Sequence, residues 1–244
     1  MILAQMKFVD LDMATPEENL AGDEFLLNHC ERCPGEDLLR FWEPEQHFVV
    51  VGYSNRVAEV VDQSACADRD LPILRRCSGG GAVIQGPGCL NYSLCLRVDE
   101  AGPLTGIKEA NQFIMSALRS ALQPLLEGPI QIGGHTDLAV GGRKFSGNAQ
   151  RRRSGWLLFH GTFLLELKLE LIEACLRLPP VQPAYRQGRT HLEFLANLHL
   201  PADSIKSLIF NHFKINEQYH IDDLSAMHEL ARVKYSQADW NLRF

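Results

Sequence analysis

Three consecutive glycines between two strand-like segments are the feature of this sequence that most restricts its fold. The segment reads Arg-Arg-Cys-Ser-Gly-Gly-Gly-Ala-Val over residues 75–83. Apolar residues on either side predict strands at 71–75 and 82–85. Without side chains, backbone N–H groups can approach an anionic ligand closely, and the neighbouring arginines can pair with its charge. The candidate binding residues in this segment are Arg75, Arg76, Ser78, Gly79, Gly80, Gly81 and Ala82.

Two known phosphate-binding motifs are excluded for this glycine segment. No Gly-Lys-Ser or Gly-Lys-Thr follows it, which excludes a Walker A loop, and a strand pattern follows where a Rossmann motif requires a helix. A tight turn without function would explain one or two glycines, although it would not explain the paired arginines.

A second polar segment predicts a hairpin that carries opposite charges. Asp137 opens a short strand pattern, Gly141 and Gly142 form the turn, and a second strand continues through Lys144 and Ser146. Period-two alternation places Asp137 and Ala139 on one face of the first strand, and Lys144 and Ser146 on one face of the next. A carboxylate and an ammonium can then meet over one pocket, and lysine suits a phosphate or a developing negative charge. A polar hairpin without function remains the plainer alternative.

The remaining pattern predicts a largely antiparallel sheet with flanking helices. Strands are expected at 46–52, 90–98 and 156–167, and the turn Gly86-Pro87-Gly88 predicts a hairpin between the strands at 82–85 and 90–98. Helical periodicity and capping residues predict helices at 15–33, 105–125, 169–178, 201–214 and 222–234.

Composition narrows the class of protein. The 244 residues are 45% hydrophobic and 22% charged, as in ordinary globular chains, and 24 Lys and Arg against 30 Asp and Glu give a net charge of −6, which disfavours a nucleic-acid partner. No apolar run reaches the ~20 residues of a membrane span, and Lys7, Asp10 and Asp12 interrupt any secretory leader. Seven cysteines, an odd number, suit free thiols in the cytoplasm, and Cys30-x-x-Cys33 lacks the other two ligands of a zinc site.

Together these motifs resemble the superfamily of lipoate-protein ligases, octanoyl transferases and biotin ligases, and most closely the lipoate-protein ligases. The resemblance covers Asn19 to about Leu198. It rests on an ordered set of motifs: Asn-Leu-Ala at 19–21, the glycine segment, Asp-Leu-x-Val followed by Arg-Lys-x-Ser-Gly at 137–147, and His-Gly-Thr at 160–162.

The resemblance implies the class II synthetase-like α/β catalytic fold, with a mostly antiparallel mixed sheet flanked by helices. Residues 1–200 would form the catalytic domain, and 201–244 a short helical C-terminal extension packed on the same domain. An acyl chain would lie in an apolar tunnel with its carboxylate facing Lys144.

The resemblance also implies two half-reactions. Lipoate or octanoate would react with ATP, accompanied by Mg²⁺, to give acyl-AMP, and a lysine of a lipoyl-carrier domain would then accept the acyl group. The carrier would be of the glycine cleavage H protein or 2-oxoacid dehydrogenase E2 type. Lys144 is the expected catalytic residue, Arg75 and Arg76 would contact carboxylate and phosphate, and Asp137 would position the nucleotide or the metal. The other expected binding residues are Ser78, Gly79, Gly80, Gly81, Ala82, Asn91, Ser146, Gly147 and His160.

Two departures from the ligase pattern keep other functions open. The segment 84–88 reads Ile-Gln-Gly-Pro-Gly, which is reminiscent of octanoyl transferases, and only about 45 residues follow Leu198, where larger ligases carry an accessory domain. The alternatives are an acyl transferase between carrier proteins and a non-catalytic subunit of a bipartite ligase, and a separate chain could supply the accessory part. A thioester-forming transferase needs an activated cysteine, and Cys77 and Cys89 are the nearest to the motifs.

A further basic cluster is compatible with two roles. Arg151, Arg152 and Arg153 precede a predicted hairpin tip at Ser154-Gly155. They form either a solvated basic face or a dock for an acidic acceptor domain.

Overall fold

Ten strands in two sheets form the framework of the computed structural model, which describes residues 6–244. The strands are β1 (Lys7–Asp10), β2 (Leu38–Trp42), β3 (Phe48–Val51), β4 (Ile73–Arg75), β5 (Val83–Gln85), β6 (Cys89–Arg97), β7 (Gln131–Gly133), β8 (Asp137–Val140), β9 (Arg143–Arg153) and β10 (Trp156–Leu164). The first five residues, on which the expectation about a leader partly rests, lie outside the described residues.

The larger sheet has seven strands in the order β1-β2-β6-β10-β9-β8-β7, and the smaller sheet has the order β4-β3-β5. Within the larger sheet only β1 and β2 pair in parallel, and in the smaller one β3 and β4 do so. The mostly antiparallel mixed sheet that the resemblance implies is confirmed.

Helices cover both faces of the larger sheet. They are α1 (Pro16–Arg32), α2 (Val57–Val60), α3 (Gln63–Ala67), α4 (Ile107–Leu122), α5 (Leu169–Cys175), α6 (His191–Phe194), α7 (Ala202–Phe213), α8 (Ser225–Leu230) and α9 (Ala238–Asn241). The predicted start of α1 is confirmed, because the Thr15 hydroxyl accepts the N–H of Glu18 and Pro16 occupies the first turn. None of the helices between residues 6 and 244 is long and apolar enough to cross a membrane.

The predicted hairpin between β5 and β6 is wrong, because the two strands belong to different sheets. The turn that joins them is held by the main chain beyond β10: the carbonyl of Gly88 accepts the N–H groups of Leu165 and Glu166 at 2.8 and 3.0 Å. Gly88 has φ +91°, and a Cβ there would lie 2.3 Å from the carbonyl carbon of Glu166. The turn therefore carries the chain from one sheet to the other.

Two apolar layers sandwich the larger sheet. On one face, α4 and α7 pack through Ile114, Leu118 and Ile209 onto strand residues such as Leu94 and Phe159. On the other face, α1 packs together with α8 and the π-helical turn Ala231–Tyr235 that follows it. This second face also carries the candidate site.

Candidate active site

A cavity of about 1100 Å³ lies where α1, the glycine segment and the second face of the larger sheet meet. Nine of the thirteen sequence-predicted site residues line it, and four do not: Arg75, Ser78, Gly79 and Ser146. The nine are Arg76, Gly80, Gly81, Ala82, Asn91, Asp137, Lys144, Gly147 and His160. The two sequence motifs singled out for chemistry thus meet at one cavity.

The ammonium of Lys144 forms an ion pair with the carboxylate of Asp137 inside this cavity, at 2.7 Å. Gly147 makes room for the ammonium, because a Cβ at that position would lie 2.7 Å from Nζ of Lys144. The hydroxyl of Tyr185 donates to the other oxygen of Asp137, also at 2.7 Å. Burial, and the Asp137 charge beside it, raise the pKa of Tyr185, so this hydroxyl stays a donor at neutral pH. Sequence reasoning missed Tyr185, which has no local motif.

Ser146 faces away from Lys144, which corrects the prediction that they share a face. A β-bulge interrupts the pairing of β8 and β9, so that Ala139 pairs with Lys144 while Leu138 pairs with Ser146. Leu138 is fully buried in the α4 layer, and Ser146 is only 1% exposed. Since one extra residue reverses the alternation of a strand, Gly147 takes the place beside Lys144 that was predicted for Ser146.

The two arginines of the glycine segment hold the main chain together. Arg76 donates to the carbonyl oxygens of Gly79 and Gly81 at 2.6 and 2.8 Å, which folds the loop around its guanidinium. Burial lowers the pKa of Arg76 to about 10, so it remains a cation at neutral pH. Arg75 is fully buried and donates to the carbonyls of Gly52 and Asn55. Arg75 therefore lies outside the cavity in which its ligand contact was expected.

The main-chain N–H groups of Gly79–Gly81 have no hydrogen-bond acceptor among residues 6–244. Gly80 has φ +90°, a left-handed conformation that favours glycine. Its carbonyl oxygen also requires glycine at position 52, because a Cβ on Gly52 would lie 2.0 Å from that oxygen. Gly81 and Ala82 line the cavity beside these free donors. Such an array of free N–H groups can receive an anionic ligand.

His160 joins the glycine segment to α1 through a buried network. Its Nε2 lies 2.5 Å from the hydroxyl of Ser78, and its Nδ1 lies 2.7 Å from a carboxylate oxygen of Asp23. The other Asp23 oxygen accepts from Arg40 at 2.6 Å and from Ser93 at 2.6 Å. Although burial alone would raise the pKa of Asp23, the His160 hydrogen bond and the charge of Arg40 outweigh it and hold this pKa below its usual value. Arg40 also donates to the side chain of Asn19 at 2.6 Å. Asp23, four residues after Asn19 on α1, was missed from the sequence.

The cysteines near the motifs are poor nucleophiles in this structure. Burial raises the pKa of Cys77 and that of Cys89 to about 12, and the arginine beside Cys77 in sequence turns its charge to the loop carbonyls instead. All seven cysteines are free thiols, and Cys33 is the exposed one. The activation of Cys77 by its arginine neighbours, considered from the sequence, has no support in the geometry.

Each arginine of the predicted basic cluster is bound to the chain itself. Arg151 donates to the carbonyl of Cys77 at 2.6 Å, Arg152 donates to three carbonyls at residues 104–106, and Arg153 pairs with Glu31 at 2.7 Å. These contacts give the three arginines a structural role, which is neither the solvated basic face nor the dock that the sequence suggested.

The residues present offer little to a metal ion by themselves. Within the part of the chain that the structure describes, no three His, Cys, Asp or Glu side chains cluster as metal ligands. Both oxygens of Asp137 are engaged, by Lys144 and by Tyr185. A Mg²⁺ ion that accompanied a nucleotide would be held chiefly by phosphate oxygens and water, with Asp137 the carboxylate closest to Lys144.

Comparison with known proteins agrees with this geometry. The family model described as "Lipoyl protein ligase A/B catalytic domain" matches residues 15–214. Lipoate-protein ligase LplJ of Bacillus subtilis is 24% identical over 97% of this chain and 73% of its own length. Octanoyltransferase LipM of Moorella thermoacetica is 27% identical over 96% of both chains.

Solved structures show the same fold. A crystal structure of lipoate-protein ligase A bound with ATP superposes with a TM-score of 0.82 over 98% of both chains, at 23% identity. The family match covers most of this chain and includes both motifs that line the cavity. The chain therefore belongs to the family of lipoyl protein ligase A/B catalytic domains.

Proposed function

We propose that this protein is an ATP-dependent lipoate-protein ligase. The observation that carries the proposal is the meeting of the Lys144 ammonium and the free N–H groups of Gly80 and Gly81 at one cavity. A lysine cation and an array of amide donors suit an acyl-adenylate, which is anionic and easily hydrolysed. LplJ, a relative, is named as a lipoate-protein ligase.

The proposed reaction has two steps. A carboxylate oxygen of lipoate attacks the α-phosphorus of ATP, and pyrophosphate leaves. The ε-amine of an acceptor lysine then attacks the acyl carbon; AMP departs, and the amine loses its proton to solvent. Lys144 would hold the carboxylate and the α-phosphate together and offset their charge, since an ammonium ~4 Å from an anionic oxygen contributes about 4 kcal/mol at an effective dielectric near 20. Asp137 and Tyr185 would hold Lys144 in position until the substrate arrives.

The two ends of the cavity suit different parts of the acyl-adenylate. The end lined by Leu20, Trp42 and Val50 is buried and mainly apolar, which suits an alkyl chain. The segment 179–186 lies at the opposite end, where Tyr185 contacts Asp137, and the exposed side chains of Arg56 and Arg177 also line the cavity. These residues suit the nucleotide and its phosphates. Mg²⁺ and a carrier domain of the glycine cleavage H protein or E2 type belong to this proposal.

An acyl transferase is the second candidate, because the LipM relative matches over nearly its whole length. The buried, unactivated Cys77 and Cys89 favour the ligase. A two-chain ligase is the third candidate. Lipoate-protein ligase A subunit 1 of Thermoplasma acidophilum, which is named as a subunit, is 26% identical over 84% of both chains.

One experiment separates these functions. The purified chain is mixed with a lipoyl domain and either lipoate with ATP, or an octanoyl-carrier protein without ATP. We expect the first mixture to release AMP and to add a lipoyl mass to the domain, with Cys77→Ser and Cys89→Ser equally active. Transfer in the second mixture, lost in one serine variant, would establish the transferase instead. Binding of lipoate and ATP without any transfer would indicate a subunit that requires a second chain.

A further inference from the structure

One row of paired residues crosses the larger sheet beneath the cavity. Asp137 of β8 pairs with Gly147 of β9, Gly147 with Thr162 of β10, and Thr162 with Asn91 of β6; Trp42 of β2 follows Asn91. All five line the cavity. Directly opposite residues on antiparallel strands point to the same face, so this row forms the floor of the cavity from its charged centre to its apolar end.

The spacing of strands sets the distances along this floor. At roughly 4.8 Å per strand, Thr162 lies about 10 Å from Asp137, Asn91 about 14 Å and Trp42 about 19 Å. An extended eight-carbon chain is about 9 Å long, given C–C bonds of roughly 1.5 Å. If its carboxylate lies at Lys144, as the proposed function requires, its last carbons lie over Thr162 and Asn91. The Lys144 ammonium lies over Gly147, since a Cβ at Gly147 would be 2.7 Å from Nζ. The acyl chain therefore starts about one strand nearer to Thr162 and Asn91 than Asp137 does.

The floor at that point is polar, although the cavity wall at Leu20, Trp42 and Val50 is apolar. Gln85 donates to the hydroxyl of Thr162 at 2.6 Å, and this hydroxyl donates to Asn91 at 2.6 Å. Gln85 and Asn91 are 5% and 2% exposed, and each has one side-chain amide atom without a partner, Oε1 of Gln85 and Nδ2 of Asn91. The Thr162 hydroxyl has one hydrogen to donate. If both hydrogen bonds ran the other way, from Asn91 through Thr162 to Gln85, one amide donor and one amide acceptor would still lack a partner.

We propose that Gln85, Thr162 and Asn91 select the acyl substrate by its far end. An eight-carbon acid that carries sulfur or oxygen near its last carbon would bind in preference to octanoate. A saturated tail excludes water from these amides without replacing its hydrogen bonds, and an unpaired buried polar group is costly. A sulfur or a hydroxyl at the tail offers them a partner. This inference rests on the proposed function for the position of the carboxylate.

Binding can be measured directly, without turnover. Titration calorimetry of the full chain with lipoate, octanoate and 8-hydroxyoctanoate compares the three tails on one carboxylic acid. We expect lipoate to bind on the order of tenfold more tightly than octanoate, because sulfur is a weak acceptor for an amide N–H. The affinity of 8-hydroxyoctanoate should exceed that of octanoate by more, because its hydroxyl both donates and accepts.

Two variants locate the selectivity. Gln85→Met and Thr162→Val each keep the side-chain volume and remove hydrogen bonds between Gln85, Thr162 and Asn91. The ratio of the affinity for lipoate or 8-hydroxyoctanoate to that for octanoate should therefore fall towards one. Gln112→Met, on the outer surface of α4, is the matched control and should leave the preference unchanged. Near-UV circular dichroism checks that each variant is folded, and if only one of them folds, that variant decides the point.

The outcomes are distinct. Equal affinities for all three acids in the wild-type chain, or a preference that survives both substitutions, would overturn the selectivity and leave the ligase proposal standing. Failure of every acid to bind, with and without ATP, would overturn the proposed function and this inference with it.

Discussion

At the scale of single residues, Lys144 is the side chain on which the proposed chemistry depends most. It is about a quarter exposed, so Lys144→Ala should leave the chain folded, since such a side chain contributes little to the core. Loss of one preorganised electrostatic contact should slow acyl transfer by about 10²-fold or more. The rate of lipoyl-domain modification measures this, with Lys108→Ala on the exposed face of α4 as control. Near-normal turnover in Lys144→Ala would remove this lysine from the mechanism.

A second residue, Asp37, should make stability depend on pH. Burial raises the pKa of Asp37 to about 6 in the folded chain, against about 3.9 for an unfolded aspartate. The folded state therefore binds this proton more tightly, and the residue's contribution to stability falls as pH rises from about 4 to about 6. Asp37→Asn, which keeps an acceptor for the N–H of Arg97, should raise the urea midpoint at pH 7 and barely change it at pH 4. Exposed Asp222→Asn should shift neither midpoint.

At the scale of elements, the glycine segment offers a matched pair of substitutions. Gly80 has φ +90°, whereas Gly81 has an ordinary φ, and no atom lies within 4 Å of the place that a Cβ at Gly81 would take. Gly80→Ala should lower the free energy of unfolding by about 1–2 kcal/mol, because a left-handed alanine is strained. Gly81→Ala should leave stability unchanged but weaken binding of an acyl-adenylate analogue, since its methyl group would enter the cavity. Calorimetry and thermal melts read both effects, and unchanged binding by Gly81→Ala would argue against an approach of ligand to this backbone.

The elements also show how far sequence reasoning reaches. The hairpin of β8 and β9 was predictable, because alternation and the Gly141-Gly142 turn are local signals, and so was the meeting of Lys144 with Asp137. The position of Ser146 was not, because a single bulge reverses the alternation. The partner strand of β5 was not either, since Gly86–Gly88 encode a turn but not the sheet that the next strand joins. The contact between Tyr185 and Asp137 could not be predicted either, because 48 residues separate them in the sequence.

At the scale of the whole molecule, an ion pair with the buried Glu24 joins the segment after residue 200 to α1. Lys234 contacts both carboxylate oxygens of Glu24 on α1, at 2.6 and 2.9 Å, and Tyr235 donates to the same carboxylate at 2.6 Å. Trp240 and Asn241 hydrogen-bond to the backbone of Arg75, the strand residue that leads into the glycine segment. The C-terminal helices thus hold α1 and the strand that leads into the glycine segment, both of which border the cavity.

Removing one charge of the Lys234–Glu24 ion pair should lower the stability of the chain. Lys234→Met leaves the buried Glu24 carboxylate without its cation and should lower the free energy of unfolding by about 3 kcal/mol. Urea denaturation measures the loss, and Lys108→Met provides a surface control. If Glu24→Gln combined with Lys234→Met were no more stable than Lys234→Met alone, the loss would not come from an unpaired carboxylate.

The strand order has a consequence for how the chain reaches its native state. Strands β7 to β10 are neighbours in both sequence and space, so they can zip together as a meander with little loop closure. The central pairings of β2 with β6 and of β6 with β10 join distant segments, and each must close a long loop first. In pulse-labelled hydrogen exchange, amides of β8–β10 should therefore gain protection before those of β2 and β6. The half of the site that carries Lys144 and Asp137 would form early, and the acyl end would be completed last.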